Sequence, residues 1–243
     1  MTLRDFSVAD ELRLLAIIPA RGGSKRLPGK NGLQLAGKPL IQWTIDAGLQ
    51  SGVFADLLVS TDDPVIADVA RSGGAMVPWL RPAHLATDTS DSVSVIRHAL
   101  SWYEDQNGLI DAVMLLQPTS PFRSVESIIA AVALYCRQND RAKYPVVSVS
   151  PVATHPAWTF TLEDPDGMMT PVMGWDPLKQ RSQDLVPAYS LNGALYIIPA
   201  EDIRNDLPII RHGVTPFIMS DAKECLDIDT PEDWEAAERW AQR

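Results

Sequence analysis

The sequence predicts an α/β fold, a mostly parallel sheet with helices on both faces. Three observations lead there. Short apolar runs alternate with stretches of helical periodicity along most of the chain. The first apolar run passes directly into a glycine-rich turn, as the end of a buried parallel strand does. The chain has 243 residues, 46% hydrophobic and 21% charged. A chain of this length can bury about 70% of its unfolded surface, enough for one sizeable core without disulfide staples.

The elements follow in order. Leu14-Leu15-Ala16-Ile17-Ile18 is apolar throughout and closes at Pro19, the pattern of a strand covered on both faces. Pro39 suits the first position of a helix whose Leu40, Trp43 and Ala47 share one face. Leu57–Ser60 reads as a second strand. Asp63 then caps a helix from Pro64 that turns Val65, Ile66 and Val69 inward. Val93, Ile96, Leu100 and Tyr103 mark a third helix, Ala112–Leu116 a strand, and Ser124 opens a helix through Val125, Ile128, Ile129 and Val132. Val146–Val149, Ala194–Ile198 and Pro216–Met219 are further strands. Thr230-Pro231-Glu232-Asp233 begins a last helix, with a threonine cap, proline next and an acid three residues on. Trp234, Ala237 and Ala241 would face inward.

One stretch breaks the alternation. Pro151 to Tyr189 holds Pro151, Pro156, Pro165, Pro171, Pro177 and Pro187 and has no clear helical period. A segment this long without regular structure is commonly a functional excursion. Its Trp158, Met168, Met169, Met173 and Trp175 suggest an exposed surface that needs a partner, the alternative being a loop packed on its own domain.

Composition excludes several classes. Net charge is 21 − 31 = −10, which argues against a general nucleic-acid binder. No stretch reaches the ~18 apolar residues of a membrane span, and the charged residues before Leu14 do not resemble a secretory leader. Cys136 and Cys225 form no disulfide framework and lack metal-ligand spacing, so a reducing cytoplasm is expected. Residues 1–12 carry no motif. Against the acidic total, Leu12 to Ile45 contains no Asp or Glu but holds Arg13, Arg21, Lys25, Arg26, Lys30 and Lys38. A local positive field on an acidic protein points to a small polyanion such as a phosphate ester.

The segment Ile18-Pro19-Ala20-Arg21-Gly22-Gly23-Ser24-Lys25-Arg26-Leu27-Pro28-Gly29-Lys30-Asn31 carries the strongest signal. It leaves the first strand at the carboxyl edge, where open α/β sheets bind ligands. Adjacent glycines let backbone N–H groups converge on an anion, and four basic side chains surround them. The spacing is neither that of a P-loop nor that of a dinucleotide fingerprint. Triphosphate or pyrophosphate binding is the functional reading, a basic surface turn the bland one. In Asp227-Ile228-Asp229, an extended backbone sends both carboxylates to one side. A magnesium ion takes one or two carboxylates plus phosphate oxygens. Alternatively, Asp229 simply favours the dipole of the helix that follows.

In order, the basic loop, Val59-Ser60-Thr61-Asp62, Arg81-Pro82-Ala83 with Thr87-Asp88-Thr89, Leu116-Gln117-Pro118-Thr119-Ser120-Pro121, Asn192-Gly193-Ala194-Leu195-Tyr196 and Asp227-Ile228-Asp229-Thr230-Pro231 resemble the acylneuraminate cytidylyltransferases, the CMP-sialic acid synthetases. The resemblance covers about residues 14–240. It implies a Rossmann-like nucleotide-diphospho-sugar transferase fold over 13–243, preceded by an extension over 1–12. The implied reaction is CTP plus a 2-keto sugar acid giving CMP-sugar and pyrophosphate. By position, the resemblance places Arg21, Lys25, Lys30 and Asn31 at the triphosphate and ribose, with the backbone of Gly22, Gly23 and Ser24 beneath. Arg81 and Ser92 would read cytosine; Gln117, Arg181, Gln183, Tyr189 and Asn192 would meet the sugar; Asp227 and Asp229 would hold Mg2+. Arg21, Lys30, Asp227 and Asp229 are the implied catalytic set. The implied assembly is a homodimer in which the arm, about 151–189, reaches into the neighbouring site.

Two positions depart from sialate-activating members. Trp158 stands where several have lysine, and Ser182 where some have arginine, with Arg181 adjacent. Both belong to the sugar end, where a carboxylate must be met, so a related nine-carbon acid such as legionaminic acid stays open. Alternatives are a KDO (3-deoxy-manno-octulosonate) cytidylyltransferase and a non-catalytic nucleotide sensor of the same fold. Neither His84 nor His155 is expected to be a catalyst.

Overall fold

The computed structural model describes residues 12–87, 90–138, 143–164 and 166–242. Asp88 and Thr89 of one quoted motif, and all but Leu12 of the N-terminal extension, lie outside the described residues. The strands are β1 (Leu14–Pro19), β2 (Gln34–Leu35), β3 (Lys38–Pro39), β4 (Asp56–Ser60), β5 (Ala112–Leu116), β6 (Val146–Pro151), β7 (Phe160–Thr161), β8 (Thr170–Pro171), β9 (Tyr189–Pro199) and β10 (Thr215–Ile218). The helices are α1 (Leu40–Ser51), α2 (Pro64–Ser72), α3 (Ser92–Asn107), α4 (Val125–Cys136), α5 (Ala200–Arg204) and α6 (Pro231–Ala241).

A six-stranded sheet runs β10-β6-β9-β5-β1-β4. β1 pairs in parallel with β4 and β5, and β10 with β6, while β9 runs antiparallel to both its neighbours. Alternate residues of β1 supply the two faces. Leu14, Ala16 and Ile18 pack under α1, α2 and α4 through Ile41, Ile45, Ile66 and Ile128. Leu15 and Ile17 meet Ile96, Leu100 and Tyr103 of α3 and Ile203 of α5. Side chains buried this completely each stabilise by about 1.5–3 kcal/mol.

The predicted elements stand, with shifted faces. Val65 is 67% exposed, and Ala67 and Ala70 take its place beside Ile66 in the core. The Asp63 carboxylate accepts from the amides of Val65 and Ile66, so the first turn points out. Val95 rather than Val93 is buried on α3. Pro39 is the cap of α1, not its first residue. Leu40 and Trp43 leave the main core for a satellite cluster with Leu35, Phe122, Ile228 and Ala237, which seats α6. Behind the sheet edge, the rings of Trp79 and His98 meet edge-on at 4.4 Å, and the His98 Nδ1 atom is buried without a partner.

Burial, then the charges of His84 and Arg81, hold the His98 pKa below its usual 6.5. Below that value an unfolded chain binds a proton that the folded one refuses, so stability falls as pH drops from 6.5 towards the depressed value. His98→Phe keeps the ring contact and removes this component. Its urea midpoint is expected to decline less steeply than that of the wild type over the same window; parallel profiles would refute the assignment.

The arm keeps the irregular character predicted for it. β7 and β8 pair as a two-residue ladder between 3₁₀ turns. Met168 is 94% exposed and Trp175 63%, with Met169, Met173 and Trp158 also open.

Candidate active site

The carboxyl ends of β1 and β5 open on one cleft of about 520 Å³. The loop after β1 forms its floor. Ala20 N–H continues the sheet pairing to the Ser60 carbonyl at 2.9 Å. Gly29, at φ +66°, turns the chain into a 3₁₀ turn that buries Lys30 and Asn31. The Asn31 amide donates back to the Arg21 carbonyl at 3.0 Å, closing the loop on itself. Arg21, Ser24, Lys25, Arg26, Lys30 and Asn31 all line the cleft. Gly22 and Gly23 lie outside the lining. Gly22 donates its amide to Asp62 Oδ1 at 2.9 Å, and a Cβ built there would sit 2.7 Å from Asp63 Oδ2. Close packing thus accounts for this glycine.

The loop meets the C-terminal carboxylates. Lys30 Nζ donates to Asp229 Oδ1 at 2.9 Å and to the Ile228 carbonyl, and Arg26 pairs with Asp229 Oδ2 at 3.1 Å. Ile228 is fully buried in the satellite cluster, and its N–H donates to the Thr119 carbonyl at 2.8 Å. Asp229 does not cap α6 with its carboxylate: Thr230 and Asp233 form the capping box, and only the Asp229 amide joins it, donating to Asp233 Oδ2. Asp227 is set deeper, outside the lining, with Oδ1 buried and unpartnered. Burial raises its pKa, a hydrogen bond from the Thr119 side chain opposes this, and the charge of Asp229 adds to the rise.

Asp227 offers an unpartnered oxygen to a divalent ion, whereas both Asp229 oxygens are engaged by Lys30 and Arg26. An orphaned buried carboxylate oxygen stands beside a second carboxylate at the cleft edge, and among the described residues no group of three or more His, Cys, Asp or Glu forms a closed metal site. Two carboxylates leave the remaining positions to phosphate oxygens.

On the opposite wall Arg81 is only 7% exposed. Its Nε donates to Ser60 Oγ at 3.0 Å and its Nη2 to the Ser60 carbonyl. Burial lowers its pKa, Asp62 counters this, and Arg21 adds to the lowering. Ser92 opens α3 at the cleft, and Gln117 and Thr119 line the third side.

Arg123, which no motif reading singled out, holds that third side. Its guanidinium is buried, with Nε on the Ala194 carbonyl at 2.7 Å and Nη2 on the Gln117 carbonyl at 2.9 Å. Glu224 lies near enough to oppose the effect of burial on its charge.

Four predicted sugar residues stand apart from the cleft of this chain. Asn192 is buried; its amide donates to Ser150 Oγ at 2.9 Å and its oxygen accepts from the Ala194 amide, beside the bulge between β6 and β9. Arg181 is exposed and paired with Asp184 at 2.9 Å, Gln183 is exposed, and Tyr189 is 44% exposed at the start of β9. His155 accepts from the Ala157 amide and contacts the Val186 carbonyl, holding the arm together.

A sequence profile described as Cytidylyltransferase matches residues 15–243. The chain belongs to the cytidylyltransferase family. This cytidylyltransferase is 42% identical over 228 residues to the CMP-N,N'-diacetyllegionaminic acid synthase of Legionella pneumophila, covering 94% of this chain and 96% of that one. It is 38% identical over 226 residues to an N-acylneuraminate cytidylyltransferase of Streptococcus agalactiae, covering 92% of this chain and 52% of the relative. The cytidylyltransferase thus spans about half the length of the streptococcal protein. A solved CMP:2-keto-3-deoxy-manno-octonic acid synthetase complexed with CTP superposes with a TM-score of 0.70 at 19% identity, over 95% of this chain and 98% of that one, and shows the shared fold.

Proposed function

We propose that this chain transfers CMP from CTP to the anomeric hydroxyl of a nine-carbon 2-keto sugar acid, an N-acylneuraminate or a close relative such as legionaminic acid, releasing pyrophosphate. One observation carries the reading: the basic loop after β1 and Asp229 meet at a single cleft, Lys30 Nζ lying 2.9 Å from Asp229 Oδ1. The activities named for the legionellal and streptococcal relatives support the same class of product.

In this reading the hydroxyl oxygen attacks the α-phosphorus in line. A new P–O bond forms as the bond to the β-phosphate oxygen breaks, and pyrophosphate leaves. Such transfers depend on positioning and on countering charge. Arg21, Lys25 and Lys30 counter the phosphate charge, Arg81 and Ser92 face the base, and Gln117 stands at the sugar end. Asp227 and Asp229 would hold magnesium, which when bound draws charge from the phosphate oxygens. The arm's open Met168, Met169 and Trp175 suit burial against a second copy. Arg181, Gln183 and Tyr189 would then enter the partner's sugar end. Among the described residues no helix is long and apolar enough to cross a membrane. Cys136 and Cys225 are free thiols, which suits a cytoplasmic enzyme.

The test is pyrophosphate release with CTP, magnesium and a panel of N-acetylneuraminic acid, N,N'-diacetyllegionaminic acid and KDO. Turnover on a nine-carbon acid is expected, with KDO poor. CTP binding without turnover on any of the three would make the protein a sensor.

A further inference from the structure

We propose that Asp62 is a positioning residue that sets the shape of the nucleotide loop before CTP arrives. This rests on the proposed reading of residues 20–31 as the triphosphate cradle. Asp62 follows β4 by two residues and lies forty residues from the loop it serves. Its Oδ1 accepts the Gly22 amide at 2.9 Å, at the start of the glycine pair. Its charge also acts on Arg81, which Arg21 repels. One carboxylate therefore holds a backbone amide of the floor and places negative charge near a buried guanidinium of the wall.

The neighbours of Asp62 leave the loop little freedom. Thr61 Oγ1 accepts the Asp63 amide at 3.1 Å, and the Thr61 carbonyl accepts the Arg81 amide at 2.6 Å. The Asp63 side chain caps α2 and fills the space where a Cβ on Gly22 would lie. The turn after β4 is thus a rigid template, and Asp62 hydrogen-bonds it to the glycine pair through the Gly22 amide. A glycine-rich loop has more conformational freedom to lose than any other kind, so a fixed acceptor at Gly22 spares the nucleotide that ordering cost on binding.

A second consequence of the same geometry pulls the other way. A carboxylate beside a triphosphate site repels the ligand and competes for the amide. The two effects separate by substitution. Asp62→Asn keeps an oxygen for the Gly22 amide and removes the charge; Asp62→Ala removes both.

If Asp62 orders the loop, Asp62→Ala is expected to raise KM for CTP about tenfold, the scale of a lost hydrogen bond to a charged group. The saturating rate should stay within about threefold and KM for the sugar acid should not move, while Asp62→Asn returns close to wild type. Trypsin supplies a readout independent of catalysis, because Arg21, Lys25 and Arg26 lie in the loop. Without CTP, cleavage there is expected to be faster in Asp62→Ala and unchanged in Asp62→Asn. A lower KM for CTP in both variants would overturn the proposal in favour of a competing anion. Unchanged KM and cleavage in Asp62→Ala, or parallel rises for both substrates with a lower melting temperature, would overturn it as well. If the wild type fails to bind CTP, the functional reading fails, and the cleavage comparison still decides the role of Asp62.

Discussion

Asp229→Ala is expected to lower kcat by a hundredfold or more, roughly the cost of removing one preorganised charge-stabilising group from an active site. Geometry adds a second expectation. Lys30 is 8% exposed at its side chain, and Asp229, at 41%, is its carboxylate partner. Stripping the partner from a fully buried ion costs about 3–5 kcal/mol. Solvent reaches Asp229, and Lys30 keeps the Ile228 carbonyl, so the cost here should be nearer 1–2 kcal/mol. For a chain of this size that lowers Tm by about 2–8 °C. The α6 cap should survive, because Asp229 joins it only through its backbone amide. Asp229→Asn separates the two effects: an amide oxygen can still accept from Lys30, so Tm should recover while kcat stays low. The pair of measurements is a thermal melt and a pyrophosphate-release assay at saturating CTP. Wild-type turnover in Asp229→Ala would mean that the carboxylate only anchors Lys30.

What the sequence made legible follows from what each signal encodes. The strands near Leu14, Leu57 and Ala112 were readable because continuous apolar runs bounded by Pro, Gly and Asp report burial on both faces. The caps at Asp63, Ser124 and Thr230 were readable because capping is local chemistry. The direction of β9 was not: an apolar run has no polarity, and its antiparallel pairing with β5 and β6 is decided by partners dozens of residues away. Helix faces failed by a small rotation. Val65 and Trp43 fit an apolar stripe, but the first turn of α2 points outward and α1 serves two clusters at once. At the site, the basic loop and the aspartate pair stood out as composition and spacing, and their meeting through Lys30 is the structure's addition. The Gly22 amide goes to Asp62 and its missing Cβ makes room for Asp63, a packing demand that the local sequence does not display. Asn192 sits inside a recognisable motif, and its bonds to Ser150 and Ala194 within the sheet come from the fold rather than the motif.

Arg123→Met should have the largest effect on stability of any single change considered, and its cause is invisible in sequence. The substitution keeps apolar bulk and removes the donors to the carbonyls of Ala194 and Gln117. Each buried carbonyl left unpaired costs about 1–3 kcal/mol. Against that, one buried guanidinium no longer has to be desolvated, so a net loss of about 2–4 kcal/mol is reasonable, or a fall in Tm of about 4–16 °C. The loss should not be spread evenly over function. Gln117 and Thr119 are on the loop that Arg123 ties to β9, and the Thr119 carbonyl holds Ile228 between the two aspartates. A loosened loop therefore moves the sugar side and the carboxylate pair together while the loop after β1 keeps its own contacts. In the Arg123→Met protein, assayed well below its Tm, KM for the sugar acid should rise and kcat fall, with KM for CTP nearly unchanged. Arg123→Lys can reach only one of the two carbonyls and should fall between. Glu224 accepts from the Ser124 amide at 2.7 Å and from Ser127 Oγ at 2.8 Å, so it keeps its own partners in either variant. Adding Glu224→Gln to Arg123→Met should then cost less than the sum of the two single changes, because the charge that Arg123 balanced is gone as well. Strict additivity in that cycle, with equal rises in both KM values, would show Arg123 to be a packing residue with no particular hold on the cleft.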